Sequence, residues 1–435
     1  MMSSSRFSAA SRRLYFPDVA RGLMLLGIAG ANATQGWVST QGASMARDYG
    51  GVYGDSLWDR IAVVVGCLFF HVRGLPMFST LLGIGFGMIT VSLMRRGYPR
   101  SAARRLLIRR YGFLALFGVV HTVFLFWGDI MCFYGLAGIL LALMIGFRDK
   151  VLLLLGSLVW VVSLVLTVIA SLIPDPDVGG DASSFFGSAG DVSLTTHSYL
   201  GQVGGGLAIA LAQVISFPME VVLLGLPIVL GYLAAKRGII HNIQAHRKLL
   251  WAWVIVALLV ILCVGLPLGL AQIGVIGGAA QWEMLNQSFG VLTGPGIVAG
   301  LALALDPLQR RVARSEARGE HPRIPRALWP FAALGKRSMS GYVGQSVLFS
   351  ILVTSYGLGL TRDSGAWKVT LMAILVWFLT LLGACLCEAL GKPGPLEWLH
   401  RHLAYGRQGL PPRYEGPVEP PVGERALVYP GNESP

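Results

Sequence analysis

Two ionisable residues lie inside one of the most apolar stretches of this sequence. His121 and Asp129 are eight residues apart in GFLALFGVVHTVFLFWGDIMCFYGLAGILLALMIGF, which contains no other charged side chain. An ionisable group in hydrocarbon costs roughly 2.5–3.5 kcal/mol on insertion scales, so such residues often mark a functional site. A histidine can act as a general base or as a transient acyl carrier, and a carboxylate can orient its imidazole ring. We therefore predict His121 and Asp129 as catalytic residues.

The positions of nearby arginines place these groups by depth. Arg110 and His121 are eleven residues apart, as are Arg21 and Asn32. Eleven helical residues make three turns plus about 20°, so each pair shares a face and spans ~16 Å. His121 and Asn32 are then expected at similar depth, where Asn32 could donate to an oxyanion if the two helices pack together. On a straight helix Asp129 lies ~12 Å beyond His121, so it orients the ring only if the chain folds back at Gly128.

Structural interpretations of the same residues stay open. His121 could be an interhelical hydrogen-bonding group and Asn32 a packing residue. Asp129 could cap the following helix, which does not exclude a catalytic role.

The elements that must position these residues follow from composition. The chain has 435 residues, of which 54% are hydrophobic and 13% are charged, with a mean hydropathy of +0.63. Soluble domains contain about 25% charged residues, so we predict an all-α, polytopic membrane bundle. The net charge of +13 lies largely in short loops. It therefore indicates membrane topology and not nucleic-acid binding.

Ten apolar segments are predicted to be transmembrane helices: 18–36, 60–94, 108–127, 129–147, 151–172, 206–235, 248–270, 284–305, 329–358 and 367–390. Residues 95–110 carry seven arginines and no acid, whereas loop 173–205 carries four aspartates and no Lys or Arg. The positive-inside rule then places both termini in the cytoplasm. Whether residues 57–93 cross once or form a re-entrant element is left open.

The bundle 18–390 is preceded by a cytoplasmic segment, 1–17, and followed by an interfacial helix, 391–408. A disordered Pro-rich tail is predicted for 409–435.

Several chemistries lack their motifs. The sequence has no Walker loop, HExxH or GxSxG, and its five cysteines lie in apolar runs without zinc-ligand spacing. ATP-driven transport and metalloprotease activity lose support, and no metal site is expected.

Several segments together carry a family resemblance: 18–32, RGLPMFSTLLGIGF (73–86), FGVVHTVFLFWGDIMCFYGLAG (117–138), LGKRSMSGYVGQS (334–346) and GPLEWLHRHLAYG (394–406). They resemble the YeiB-like bacterial membrane proteins, which are similar to the transmembrane acyltransferase superfamily that includes heparan glucosaminide N-acetyltransferase. The O-acetylating branch carries an essential histidine in its first helix, where this sequence has Asn32. His121 as the base is therefore an assignment from these residues and not from the family.

The resemblance implies a multi-pass protein of the bacterial cytoplasmic (inner) membrane. It would take an acyl group from a cytoplasmic acyl-CoA-type donor, with no covalently bound cofactor, and deliver it to a carbohydrate or lipid-linked acceptor at the outer face. The residues positioned to hold the donor phosphates are Arg21, Arg104, Arg105, Arg109 and Arg110. Membrane lipid is a further expected partner, and a homo-oligomer is left open.

The alternative function is a transporter or flippase, in which His121, Asp129 and Glu220 form a proton or substrate pathway. Weaker candidates are His71 and Arg73, expected at the outer interface. A polar stripe that includes Tyr342 and Ser346 is expected near the cytoplasmic half of the ninth span.

Overall fold

The computed structural model describes residues 14–416 apart from 39, 41, 173–197, 321–323 and 363. In these residues the regular elements are helices, and the β structure is one isolated bridge between Met45 and Val52. The first eight helices are α1 (Phe16–Asn32), α2 (Leu57–Phe69), α3 (Gly74–Arg95), α4 (Arg100–Phe124), α5 (Met131–Leu143), α6 (Asp149–Leu172), α7 (Tyr199–Lys236) and α8 (Arg247–Val260). The next seven are α9 (Leu266–Gln272), α10 (Ala279–Gly290), α11 (Thr293–Ala317), α12 (Trp329–Gly335), α13 (Ser338–Leu352), α14 (Ala366–Ala389) and α15 (Pro395–Tyr405). The predicted all-α class is confirmed.

Two short π-helical segments interrupt this pattern. Ala33–Trp37 extends α1, and Ile261–Gly265 joins α8 to α9. A π-turn holds one more residue than an α-turn, so it rotates the side chains that follow it.

The predicted apolar segments are helical, but not all of them qualify as spans by length. Six described helical segments are long and apolar enough to cross a membrane, and the pair α10–α11, bent by 52°, makes a seventh. Helices α5, α12 and α13 are shorter than a full crossing, and α1 is not among these candidate spans. The chain is thus a multi-pass membrane protein, with fewer full-length spans among the described residues than the ten predicted.

Residues 57–95 form α2 and α3, which are separated by a short break at residues 70–73. The break coincides with the HVRGLP sequence at which a split was considered, and the two helices together count as one candidate span.

Small residues allow the helices to approach closely. A Cβ at Gly83 of α3 would lie 2.0 Å from the Ile228 carbonyl oxygen of α7, and one at Gly231 would lie 2.0 Å from the Thr80 carbonyl oxygen. In lipid, where apolar burial drives helix association weakly, such backbone contact supplies much of the packing energy.

The chain after α14 folds back onto the arginine-rich segment. Helix α15, inside the predicted interfacial region, packs against α4, and Tyr414 donates its backbone N–H to the Arg96 carbonyl over 3.0 Å. The predicted disordered tail is described only as far as residue 416. The rest of the tail, most of segment 1–17 and the aspartates of the acidic loop lie outside the described residues.

Candidate functional site

The end of α4 brings His121 and Asp129 together. After Phe124 the helix stops, and the backbone N–H groups of Leu125 and Phe126 both bond to the His121 carbonyl. The chain then turns back before α5 begins. Asp129 Oδ1 consequently lies 2.8 Å from His121 Nδ1, although the two residues would be ~12 Å apart on a straight helix. Both residues are buried, at 2% exposure for His121 and 7% for Asp129.

Asp129 uses its second oxygen to hold α5. Its Oδ2 accepts a hydrogen bond of 2.7 Å from the Cys132 backbone N–H, in the first turn of that helix. A carboxylate at this position satisfies a free amide and interacts favourably with the helix dipole. The two interpretations of Asp129, as a helix cap and as the group that orients an imidazole, are therefore both met by one side chain.

A third helix supplies the partner of the other imidazole nitrogen. Ser346 Oγ of α13 lies 2.9 Å from His121 Nε2, and the serine is 2% exposed. An ionised carboxylate can only accept, so Asp129 places the ring proton on Nδ1. Nε2 is then free to accept the Ser346 hydroxyl proton. We refer to Ser346, His121 and Asp129 as the buried relay.

Asn32 reaches the relay through Tyr342. The Tyr342 hydroxyl donates to the Gly128 carbonyl over 3.3 Å and also interacts with the Asn32 side chain. The Tyr342 ring lies 5.0 Å from the His121 ring, centroid to centroid. Asn32 and His121 therefore belong to one cluster, with an aromatic residue between them.

Further contacts hold the turn that carries Asp129. Gln213 of α7 donates to the carbonyl of Trp127 over 3.2 Å and accepts from the Thr122 hydroxyl over 3.1 Å. A Cβ at Gly118 would lie 2.0 Å from the Cys132 nitrogen and 2.6 Å from Asp129 Oδ2. Only glycine at 118 leaves room for α5 to begin at this place.

The arginines predicted to hold phosphate are only partly available. Arg109 donates to the Leu403 carbonyl over 3.0 Å, and Arg110 donates to the Tyr405 hydroxyl over 2.8 Å. Both residues therefore hold α15. Arg21 lies 3.7 Å from Asp18 in an ion pair, and Arg105 is exposed. Arg104 Nε is buried without a hydrogen-bond partner in the described part of the chain.

His400 also joins α15 to α4. Its Nε2 donates to the Arg110 carbonyl over 2.8 Å. Burial and the nearby Arg110 charge lower the pKa of His400 to about 4, although its backbone hydrogen bond acts in the opposite direction. The ring is therefore neutral in the folded protein at neutral pH.

A second buried polar cluster lies at the break between α2 and α3. Arg73 is 0% exposed and donates to the Cys67 and Leu68 carbonyls over 3.3 Å and 3.2 Å, so it satisfies the last turn of α2. It also donates to Asn286 Oδ1 over 2.8 Å. His71, 2% exposed, lies 3.4 Å from Thr34 Oγ1. Both side chains are enclosed by protein, and their position near the outer interface stays a prediction.

Ser346 is the member of the relay that sequence reasoning did not join to His121. The signal was its spacing of four residues from Tyr342, which puts both on one helical face. His121, however, is 225 residues away from Ser346 in sequence, so helix periodicity could not show that the two side chains meet.

The fold and the buried relay define a multi-pass membrane protein with a Ser–His–Asp hydrogen-bond chain inside its helical bundle. Residues 234–407 match the model of a family described as a protein of unknown function, DUF418. The chain is also 24% identical over 429 residues to a Bacillus subtilis (strain 168) protein described as uncharacterized protein YxaH, covering 93% of this chain and 97% of that protein. The family match includes Ser346 and α15 but not His121 or Asp129. The matching model is not that of an acyltransferase family.

Proposed function

We propose that this chain is a membrane acyltransferase in which the buried relay carries the acyl group. The observation that supports this most directly is the 2.9 Å contact between Ser346 Oγ and His121 Nε2, with Asp129 on the opposite ring nitrogen. The same order of groups activates serine nucleophiles on unrelated folds, where it is recognised by geometry and not by sequence position.

The two half-reactions use the same proton path. Ser346 Oγ attacks the carbonyl carbon of a thioester donor while its proton passes to His121 Nε2. The carbon–sulfur bond then breaks, and the leaving thiolate takes that proton. In the second half, an acceptor hydroxyl attacks the acyl-serine and gives its proton to His121, which returns it to Ser346 Oγ as the ester bond breaks. Asp129 stabilises the imidazolium formed in each half.

Asn32 and Tyr342 are our candidates to donate hydrogen bonds to the oxyanion, since Tyr342 lies beside the His121 ring and Asn32 interacts with Tyr342. The donor is a cytoplasmic acyl-CoA-type thioester, and the acceptor is a sugar or lipid-linked hydroxyl at the outer face. Among the predicted phosphate-binding residues, Arg104 and Arg105 are better candidates than Arg109 and Arg110, because the latter two contact α15.

The test is covalent capture at Ser346. Purified protein in nanodiscs is incubated with acetyl-CoA, or separately with a fluorophosphonate serine reagent, and modified residues are identified by peptide mass spectrometry. We expect one adduct on Ser346, with formation slowed on the order of 10²–10⁴-fold in His121→Ala. Ser350→Ala is the matched control, because Ser350 lies one turn further along α13 and contacts Tyr356 instead.

Two results would overturn the proposal. One is equal labelling of Ser346→Ala and the unmodified chain, and the other is absence of both adducts from folded protein.

The transporter alternative has an observation of its own. Glu220 of α7 lies close enough to Asp129 for their charges to interact, so three ionisable residues are near one another inside the bundle. Proton flux into proteoliposomes that is lost in both His121→Ala and Glu220→Gln, without any adduct on Ser346, would favour a carrier.

A further inference from the structure

A groove of about 770 Å³ lies between the start of α8 and the second half of α11, away from the buried relay. Its volume is within the ~300–1,000 Å³ range of small-molecule pockets. His241, which precedes this part of α8, lies near Arg95. The groove therefore opens at the arginine-rich end of the bundle, predicted to be cytoplasmic.

The lining changes from apolar to basic along both helices. On α11 it runs from Gly300 and Leu303 to Arg311 and Arg314, at spacings of three or four residues that keep one face toward the groove. Helix α8 runs in the opposite direction and continues from Arg247 through Trp251 to Val254. The two basic ends therefore meet, and the two apolar ends meet as well.

Charge in the groove is strongly unbalanced. Its lining contains five arginines and one carboxylate, Asp306. Asp306 accepts from Gln244 Nε2 over 2.6 Å and pairs with Arg310, and Arg318 pairs with Glu320 over 3.1 Å. In the part of the chain that the structure describes, Arg247, Arg311 and Arg314 form no salt bridge with a carboxylate.

Membrane topology alone accounts for basic residues at this end, but not for their arrangement. The positive-inside rule needs arginines in loops and does not need a concave surface with an apolar floor. Trp251 lies between the two ends of the groove and is 47% exposed, as is common for tryptophan at the boundary between hydrocarbon and headgroups. Further along α8, after Trp251, the exposed residues Ile255, Leu258 and Leu259 continue the apolar surface.

We propose that this groove binds a phosphate-bearing amphiphile, with its phosphate between Arg311, Arg314 and Arg247 and its acyl chains along the apolar part of α8 and α11. An anionic phospholipid of the surrounding leaflet has this chemistry. Arginine suits it because the planar guanidinium makes paired hydrogen bonds to phosphate oxygens.

The test compares retained lipid in matched charge variants. Protein is reconstituted in nanodiscs that contain equal phosphatidylglycerol and phosphatidylcholine, and lipids that stay bound on release are counted by native mass spectrometry. We expect the native chain to retain phosphatidylglycerol in preference to phosphatidylcholine. In the double variant Arg311→Gln/Arg314→Gln, this preference should fall about fivefold for each arginine removed. Arg401→Gln/Arg407→Gln removes the same charge from exposed positions at the same end and should leave the preference unchanged.

A thermal-unfolding series separates binding from folding. Phosphatidylglycerol should raise the unfolding temperature of the native chain and of the control, but not that of the groove variant.

A second arm of the lipid-retention experiment adds free coenzyme A or pyrophosphate. Displacement of bound lipid by either compound, with the same arginine dependence, supports the phosphate site and shows that it also takes a soluble phosphate. Equal retention of the two lipids, or equal lipid loss in the groove and control variants, would overturn the proposal.

Discussion

At the scale of single residues, the two carboxylate oxygens of Asp129 have different roles, which can be separated experimentally. Its Oδ1 faces His121 and its Oδ2 accepts from the Cys132 amide. An asparagine keeps one oxygen for the helix amide, but its NH₂ group would donate to His121 Nδ1 and move the ring proton to Nε2. The histidine could then no longer accept from Ser346.

We therefore expect Asp129→Asn to lower the rate of adduct formation at Ser346 on the order of 10⁴-fold while changing stability by less than about 1 kcal/mol. Asp129→Ala should lose the same activity and a further ~1 kcal/mol, because the first turn of α5 is then uncapped. Adduct kinetics and chemical unfolding in detergent measure the two effects. Unchanged kinetics in Asp129→Asn would argue that the relay is only structural.

Sequence reasoning identified part of this site for physical reasons. His121 and Asp129 stand out because an ionisable residue is costly in hydrocarbon, and the turn at Gly128 was the condition for their contact. Ser346 carries no such cost, since a serine hydroxyl can bond locally within any helix. Its role depends on how α13 packs against α4, which local pattern does not encode.

At the scale of elements, the missing side chain at Gly118 is one of the features that let α4 and α5 approach closely. A methyl group at Gly118 would meet backbone atoms, whereas one at Gly112, earlier on the same helix, meets nothing within 4 Å. Gly118→Ala should cost about 1–3 kcal/mol and disturb the His121–Asp129 contact.

Gly112→Ala is the matched control. It should be neutral or stabilising by up to ~1 kcal/mol, because alanine favours a helix over glycine. Thermal unfolding of both variants, read beside Ser346 labelling, checks the expectation. Equal effects at the two positions would show that the close approach does not matter.

The chain at the break between α2 and α3 is stabilised by hydrogen bonds from Arg73. Replacing it by methionine leaves the Cys67 and Leu68 carbonyls and Asn286 Oδ1 without this donor, at a cost of roughly 2–5 kcal/mol. Arg60→Met removes an arginine from α2 whose partner is the exposed Asp55, and should cost under ~1 kcal/mol. Urea unfolding in detergent measures both, and similar midpoints would contradict the capping role.

At the scale of the whole molecule, hydropathy predicted the helical bundle well and the span count less well. Apolar composition determines which segments enter the membrane, and those segments are helical here. It does not determine where a helix bends or stops, so the short α5 and the bent pair α10–α11 could not be told from full crossings. The contacts of α15 with α4 could not be predicted from local sequence pattern either, because they join residues almost 300 positions apart.

Attachment of α15 to the bundle should depend on pH. The folded pKa of His400 is about 4, below its ordinary value near 6.5, so the folded protein binds fewer protons than the unfolded chain between these values. The contribution of His400 to the free energy of unfolding is then fully present above about pH 6.5, and it is lost as the pH drops toward 4.

Thermal unfolding between about pH 7 and pH 4 tests this, since His400→Gln keeps a donor for the Arg110 carbonyl but removes the titration. The variant should show a flatter pH profile than the native chain. His402→Gln, on the same helix, should retain the native slope, and a slope unchanged in His400→Gln would assign the pH dependence elsewhere.

The π-helical segment Ala33–Trp37 ties the two buried polar clusters to one length of chain. Asn32, just before it, interacts with Tyr342 at the relay, and Thr34, within it, contacts His71 beside Arg73. Residues two apart on a helix face different sides, so one helix end serves both clusters. A substitution at either cluster alters that cluster, whereas deletion of a single residue here would change the register of one cluster relative to the other. The length of this segment is therefore a constraint that the two clusters share.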